Sequence, residues 1–342
     1  MKTSQRILII IFTVVLVSAS ILYWGLNSRG LTERLVPPIA NIFLKDIRIT
    51  QLSLDQQRFN INGSFSFDSV IIKVSDKAGE MGVALDQLRI TSIYDLLRLD
   101  RPIEITLRDG TFMGADLVIN AIEFNGVLVQ RSKNNYEIDG NISISKAIAQ
   151  KLIVSNITGQ IEGMLPNIAI TNIIADCYGG KVHGSVLCQP EDDGYVNLSL
   201  NLDSVDISKI ANDRPDLVSQ VDGIADIYLM MQSHNSAITD FKADLTMTEK
   251  SRVNAALMQF LIDYIPNSAE RKELALLIKE KKKIALDKAI VKVTDFDSEK
   301  ISLAVQLASK RINLDLNLTL DLIVEGGLMN LLVLTDKNRQ TK

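Results

Sequence analysis

Apolar and polar side chains alternate with a period of two along most of the chain. The clearest run is residues 312–322, Ile-Asn-Leu-Asp-Leu-Asn-Leu-Thr-Leu-Asp-Leu. Successive side chains of a strand point to opposite faces, so this segment presents aliphatic groups on one side and polar groups on the other. Val196, Leu198, Leu200 and Leu202 repeat the pattern, as do Ile103, Ile105 and Leu107. So do Phe59, Ile61, Phe65 and Phe67; Phe241, Ala243, Leu245 and Met247; and Ile301, Leu303, Val305 and Leu307. The pattern predicts a mainly β protein, an antiparallel sheet with one dry face and one wet face. Roughly sixteen strands at about 4.8 Å spacing would make a sheet on the order of 75 Å across.

The interruptions agree with strands. Asp109-Gly110, Asn125-Gly126, Asp139-Gly140, Asp193-Gly194 and Asp222-Gly223 read as turn or bulge dipeptides. The seven prolines fall at strand borders. Two helical patterns stand out. Ser92 opens a short SIYDLLRL turn, and Val253, Leu257, Phe260, Leu261 and Tyr264 follow helical spacing up to Pro266. Leu257, Phe260, Leu261 and Tyr264 are candidates for a helical lid or a membrane contact. A second helix is predicted from Asn267 as cap, with Glu270 three residues on, presenting Leu274, Leu277 and Ile278. It would end in Lys279, Lys281, Lys282 and Lys283, cations suited to a helix carboxyl end or to anionic headgroups.

The amino terminus breaks the pattern. Residues 7–28 hold no charge, which as a helix covers about 33 Å, enough for a hydrocarbon core of about 30 Å. Lys2 and Arg6 before it favour a cytoplasmic amino end, and Tyr23 and Trp24 suit the far interface. A cleaved signal peptide, with Val17-Ser18-Ala19 as its site, is the alternative. The apolar run continues past that site through Ile21, Leu22, Tyr23, Trp24 and Leu26, favouring a single-pass membrane anchor with the bulk of the chain outside the cytoplasm. The resulting organisation is an anchor over 1–28, a main β region over 29–249, a helical insert over 250–283, closing strands over 284–335 and a polar tail over 336–342.

Composition narrows the chemistry. The 342 residues carry 37 Lys+Arg against 41 Asp+Glu, for a net charge of −4. That balance argues against a nucleic-acid partner, which calls for a concentrated basic surface. Two His and two Cys leave little room for histidine catalysis or a multi-cysteine metal centre. Cys177, His183 and Cys188 lack the ligand spacing of a zinc site; in an oxidising compartment the two cysteines could form a disulfide. Asp295, Asp297 and Glu299 lack the glycine and terminal glutamate of a calcium loop. His234 lies in a polar QSHNSA stretch. No nucleophile elbow is present. The expectation is a protein that is not an enzyme, with no metal and no cofactor.

Two motifs suggest a family. The SIYDLLRL turn followed by IEITLRDG resembles the amino-terminal pattern of the AsmA-like proteins of Gram-negative envelopes. Cys177-Tyr178-Gly179-Gly180-Lys181-Val182-His183-Gly184 resembles their aromatic-Gly-Gly-basic-branched-x-Gly motif, and Asp222-Gly223 their later glycine. The resemblance implies a curved, half-open β-groove whose apolar lining holds acyl chains, in phospholipid transport or outer-membrane biogenesis. It implies a phospholipid or other acyl-chain lipid, the inner membrane and envelope proteins as partners. Gly179, Gly180 and Gly184 are structural in it. The groove candidates are Leu198, Leu200, Leu202, Ile312, Leu314, Leu316, Leu318 and Leu320. The alternation alone allows a second reading, a closed β-sandwich core serving as a protein-binding scaffold of the envelope.

Overall fold

The computed structural model describes residues 48–323 apart from 56–57, 60–62, 77–78, 93–94, 96–98, 115–116, 133–134, 150, 191–193, 214–220, 236, 248–250, 255–258, 260–261, 263–268, 281–282, 297–299 and 313. The anchor at 1–28, the lid candidates Leu257, Phe260, Leu261 and Tyr264, and the tail at 336–342 lie outside the described residues, as does most of SIYDLLRL. Among the described residues no helix is long and apolar enough to cross a membrane.

The chain is mainly β, an open antiparallel sheet with few short helices. The described residues fall into two compact units. One is drawn from Met1–Ala175 with Ser185–Val196, the other from Asp176–Gly184 with Asn197–Lys342.

The first unit begins with β1 (Arg48–Asp55), β2 (Arg58–Phe59), β3 (Phe65–Phe67) and β4 (Ser69–Asp76). It continues with β5 (Gly79–Ile90), β6 (Pro102–Met113), β7 (Leu117–Ser132), β8 (Asn135–Ala149) and β9 (Leu152–Met164), and takes in most of β10 (Ile168–Cys177). From β4 to β9 each strand pairs antiparallel with the next, and β1 pairs with β4. Short connections suffice for such a meander. Alternation puts Leu52, Leu54, Val70, Ile72, Val74, Phe65, Phe67 and Ile103 into one dry cluster. Phe65 and Phe67 meet edge-on at 4.4 Å between ring centres, the geometry favoured by the ring quadrupole.

The alternation slips within several strands. In β7, Leu117 and Ile119 pack on the same cluster as Ile122 and Phe124, although Ile119 and Ile122 are three residues apart. Between them Ala121 has φ +51°. In β6, Leu107 and Phe112 also reach the cluster, and the register shifts between Leu107 and Gly110, where Asp109 has φ +50°. Asn156 in β9 and Asn172 in β10 adopt the same left-handed conformation. An extra residue in this conformation bends a strand and resets its facing. The aliphatic side chains therefore return to one face beyond each slip.

The second unit holds parts of β11 (Gly180–Gln189) and β12 (Tyr195–Asp206), then α1 (Ile207–Asp213) and β13 (Val221–Asp222). After these come β14 (Ile224–His234), β15 (Ala237–Met247), β16 (Ser251–Asn254), α2 (Ala269–Lys279) and β17 (Lys283–Leu286). The last strands are β18 (Lys288–Phe296), β19 (Lys300–Ser309) and β20 (Leu314–Ile323). β14, β15, β18, β19 and β20 pair antiparallel in that order. β13, β16 and β17 form a separate three-stranded sheet.

Three expectations change here. Val253 lies in β16, not at a helix start, because its backbone pairs with Val221 and Ile284. Lys283 opens β17 rather than closing a helix; its Nζ lies 2.6 Å from Asp222 Oδ2, and Arg252 Nε reaches the same carboxylate at 3.9 Å. Ile312 sits in a 3-10 turn at Lys310–Ile312, so strict alternation overran the start of β20. Of the helix predicted from Asn267, Ala269–Lys279 is observed as α2, while Asn267 itself lies outside the described residues. Leu274 is 1% exposed, and Leu277 and Ile278 pack against the same cluster as Ala225, Met247, Ile284 and Ala289.

Ala121 gives a test of the slip. A left-handed L-residue costs roughly 1–2 kcal/mol, and a β-branched one more. Ala121→Gly should raise unfolding stability by about 0.5–1 kcal/mol, and Ala121→Val should lower it by about 1–2 kcal/mol. Urea unfolding followed by circular dichroism checks both signs; equal effects from Gly and Val would contradict a left-handed Ala121.

Candidate functional site

Register builds the dry face of the first unit row by row. Leu107 stands opposite Phe124, Phe124 opposite Ile142, and Ile142 opposite Gly159. The next row runs Ile122, Ile144, Ile157, and the row beyond the slip runs Ile119, Ala147, Val154. Leu117, Ala149 and Leu152 follow. Directly opposed residues share a face, so β7–β9 present a contiguous aliphatic surface.

Its burial is graded. Toward β1–β6 the lining is sealed, with Ile72 at 1% and Ile103 at 0% exposure. Along β7–β9, Leu117, Ile119, Ile122, Ile142, Ile144, Val154 and Ile157 are half-buried. They are neither enclosed in a core nor spread open to water.

Gly126 and Gly140 shape the floor. They stand directly opposite each other within regular pairing, so Asn125-Gly126 and Asp139-Gly140 are neither turns nor bulges, contrary to the dipeptide reading. A Cβ on Gly126 would fall 2.5 Å from the Phe124 ring, and one on Gly140 2.7 Å from it. The ring lies over the glycine pair, where any side chain would displace it.

In the second unit the dry face is covered at one end. Leu274 of α2 and Val253, Ile284 and Leu286 of the small sheet pack against Ala225, Met247 and Ala289 of the main strands. Leu198, Leu200 and Leu202 in β12 are half-buried. Leu314, Leu316, Leu318 and Leu320 occupy alternate positions of β20, opposite Ser309, Leu307, Val305 and Leu303. β12 and β20 do not pair with each other, so these two predicted sets do not form one row. The half-buried surface of β7–β9 was absent from the predicted set. Its signal was legible as aliphatic pairs spaced by three instead of two, Ile119 with Ile122 around Ala121 and Val154 with Ile157 around Asn156.

The glycine motif has a structural account. Tyr178 (φ +47°) and Gly179 (φ +86°) form the tight turn between β10 and β11, a conformation matched to the strand twist. Gly180 and Gly184 lie against the backbone of β12. Val182 is buried, and Lys181 Nζ pairs with Asp176 at 2.5 Å. His183 Nε2 lies 3.8 Å from Asp203 Oδ2. The disulfide allowed by the sequence is not formed: Cys177 is a buried free thiol and Cys188 a half-buried one. Burial pushes both thiols above their ordinary pKa. No group of three His, Cys, Asp or Glu able to hold a metal occurs among the described residues.

On the wet face, β19 and β20 are tied by a small network. Lys300 Nζ lies 2.8 Å from Asp321 Oδ2, and Ser302 Oγ donates to Asp321 Oδ1 at 2.7 Å. The hydrogen bond from Lys300, then that from Ser302, holds the Asp321 carboxyl below the usual carboxylate range. The bond to Asp321 raises Lys300.

The chain matches no family model, no curated protein and no solved structure. The site must be judged on its own geometry.

Two measurements follow. Thiolate is the reactive form of cysteine, so iodoacetamide should label Cys177 slowly at neutral pH and rapidly once the chain is unfolded. Fast labelling of the folded protein, read by mass spectrometry, would contradict its burial. Asp321 has a lowered pKa in the folded state, so its contribution is present above its unfolded pKa and is lost as pH falls through the folded one. Asp321→Asn should therefore narrow the stability difference between neutral and acidic pH, read as urea midpoints across the acid range.

Proposed function

We propose that this is an inner-membrane-anchored, periplasmic AsmA-like protein that binds acyl chains along an apolar β-groove. In this reading it takes part in phospholipid transport or outer-membrane biogenesis. The observation that carries the proposal is the contiguous, half-buried aliphatic surface of β7–β9, which continues from a sealed cluster without a comparable seal of its own. The motif resemblance supports the family and the uncharged run at 7–28 supports the membrane anchor.

The physical case is hydrophobic transfer. Each methylene moved from water onto such a surface gains about 0.8 kcal/mol. Charged headgroups stay in solvent, since burying them unpaired is costly. Aliphatic side chains without polar groups grip flexible tails but do not select among them. No bond is made or broken, so the reading needs neither nucleophile nor cofactor.

The second reading, a closed scaffold that binds envelope proteins, draws on the sealed cluster of β1–β6 and on the covering layer of α2 and the small sheet. The two readings differ in what meets the β7–β9 surface.

Full-length protein extracted under mild conditions should carry phospholipid detectable by quantitative mass spectrometry. Ala147→Trp fills the middle of the surface while keeping it apolar, and Ile142→Asp places a charge on it. Both should lower bound lipid several-fold at unchanged far-UV circular dichroism. Lipid-free wild-type protein, or equal loading in folded Ala147→Trp, would overturn the proposal.

A further inference from the structure

The wet face of the first unit has a depression for which the acyl-chain reading has no use. Its volume is about 460 Å³, within the range of small-ligand sites. Thr106 stands opposite Asn125, Asn125 opposite Asn141, and Asn141 opposite Gln160, a row of hydroxyl and amide groups across β6–β9. Asn172 on β10 extends it, donating from Nδ2 to Gln160 Oε1 at 2.7 Å. A second row holds Glu123, Ser143 and Thr158, with Ser143 Oγ donating to Glu123 Oε2 at 3.3 Å. Arg108 lies in that second row, and the intervening row of Leu107, Phe124, Ile142 and Gly159 forms the floor between the two. The depression lies beside the left-handed residues Asp109, Ala121, Asn156 and Asn172, where bulged strands bend.

We propose that this depression is a carbohydrate-binding site, taking a short neutral oligosaccharide whose hydroxyls pair with the amides of Asn125, Asn141 and Gln160. Three features select that chemistry. Each amide both donates and accepts, so it can meet two neighbouring hydroxyls at once. The groups repeat at about 4.8 Å across the strands, the scale of a pyranose ring. One arginine and one glutamate line the whole wall, so it favours neither a phosphate nor a cation. Among the described residues, the side chains of Thr106, Asn125, Asn141 and Thr158 make no hydrogen bond within the protein, so ligand hydroxyls would displace only water. Phe124 borders the depression, but its ring lies over Gly126 and Gly140 on the dry face, so no aromatic platform meets a sugar face and binding is weak and rests on hydrogen bonds.

The inference stands apart from the lipid reading, because it uses the opposite face of the same strands. Full-length protein in a sugar-free amphipathic polymer is mixed with N,N′-diacetylchitobiose, with cellobiose, or with glycerol 3-phosphate, and saturation-transfer NMR reads the contact. Transfer to at least one disaccharide is expected. The double substitution Asn125→Ala/Asn141→Ala should weaken it roughly tenfold, the scale of two lost hydrogen bonds. Gln160→Ala should weaken it less. All three side chains are exposed, and an unchanged thermal unfolding curve verifies that the fold survives. Where free disaccharide binds, a further gain on vesicles containing digalactosyl diacylglycerol assigns a lipid-linked sugar, and no gain assigns a free glycan. No transfer to either disaccharide, equal binding by the folded double variant, or binding of glycerol 3-phosphate alone would overturn the proposal.

Discussion

The structure of the first unit depends on keeping aliphatic side chains on one face of strands that are not regular. A strand with one extra residue would send every later side chain to the wrong side, because its period is two. Here the extra step is absorbed at residues with positive φ, and the sequence changes its spacing at the same points. Ile119 and Ile122 in β7, and Leu107 and Gly110 in β6, flank such positions. Backbone conformation and side-chain pattern are matched, and the dry surface continues unbroken across the slip.

That continuity gives the two faces different physics. The dry face grades from a sealed cluster to half-buried rows, with Gly126 and Gly140 making room for the Phe124 ring. The wet face gathers amides and hydroxyls over the same strands. An aliphatic surface of this kind attracts apolar matter in proportion to area and discriminates poorly. A row of amides contributes little net energy per bond but rewards matched geometry. The proposed lipid and carbohydrate ligands follow from that contrast.

The second unit manages its dry face by another means. α2 and the three-stranded sheet lie across it, and Asp222 draws Arg252 and Lys283 together to hold the small sheet. Lys283 is thus occupied structurally. A basic cluster that looked available to anionic headgroups contributes at least this lysine to folding.

The strands themselves were legible wherever alternation was strict, as in β6, β12, β15, β19 and β20, because burial on one face forces that period. Leu274, Leu277 and Ile278 were legible as one face of a helix for the same reason, at helical spacing. The sequence did not disclose that Asn125-Gly126 and Asp139-Gly140 lie inside paired strands. Turn dipeptides and packing glycines look alike until the ring that fills the space is placed. Nor did alternation separate Val253 in a strand from Val253 in a helix, since a short apolar segment fits both periods and its partners Val221 and Ile284 are distant in the chain. By itself the sequence determined which side chains seek a dry face, since that is a property of each residue and its nearest neighbours. Tertiary structure alone decided how far each of those faces is covered, because covering depends on which remote segment arrives to pack against it.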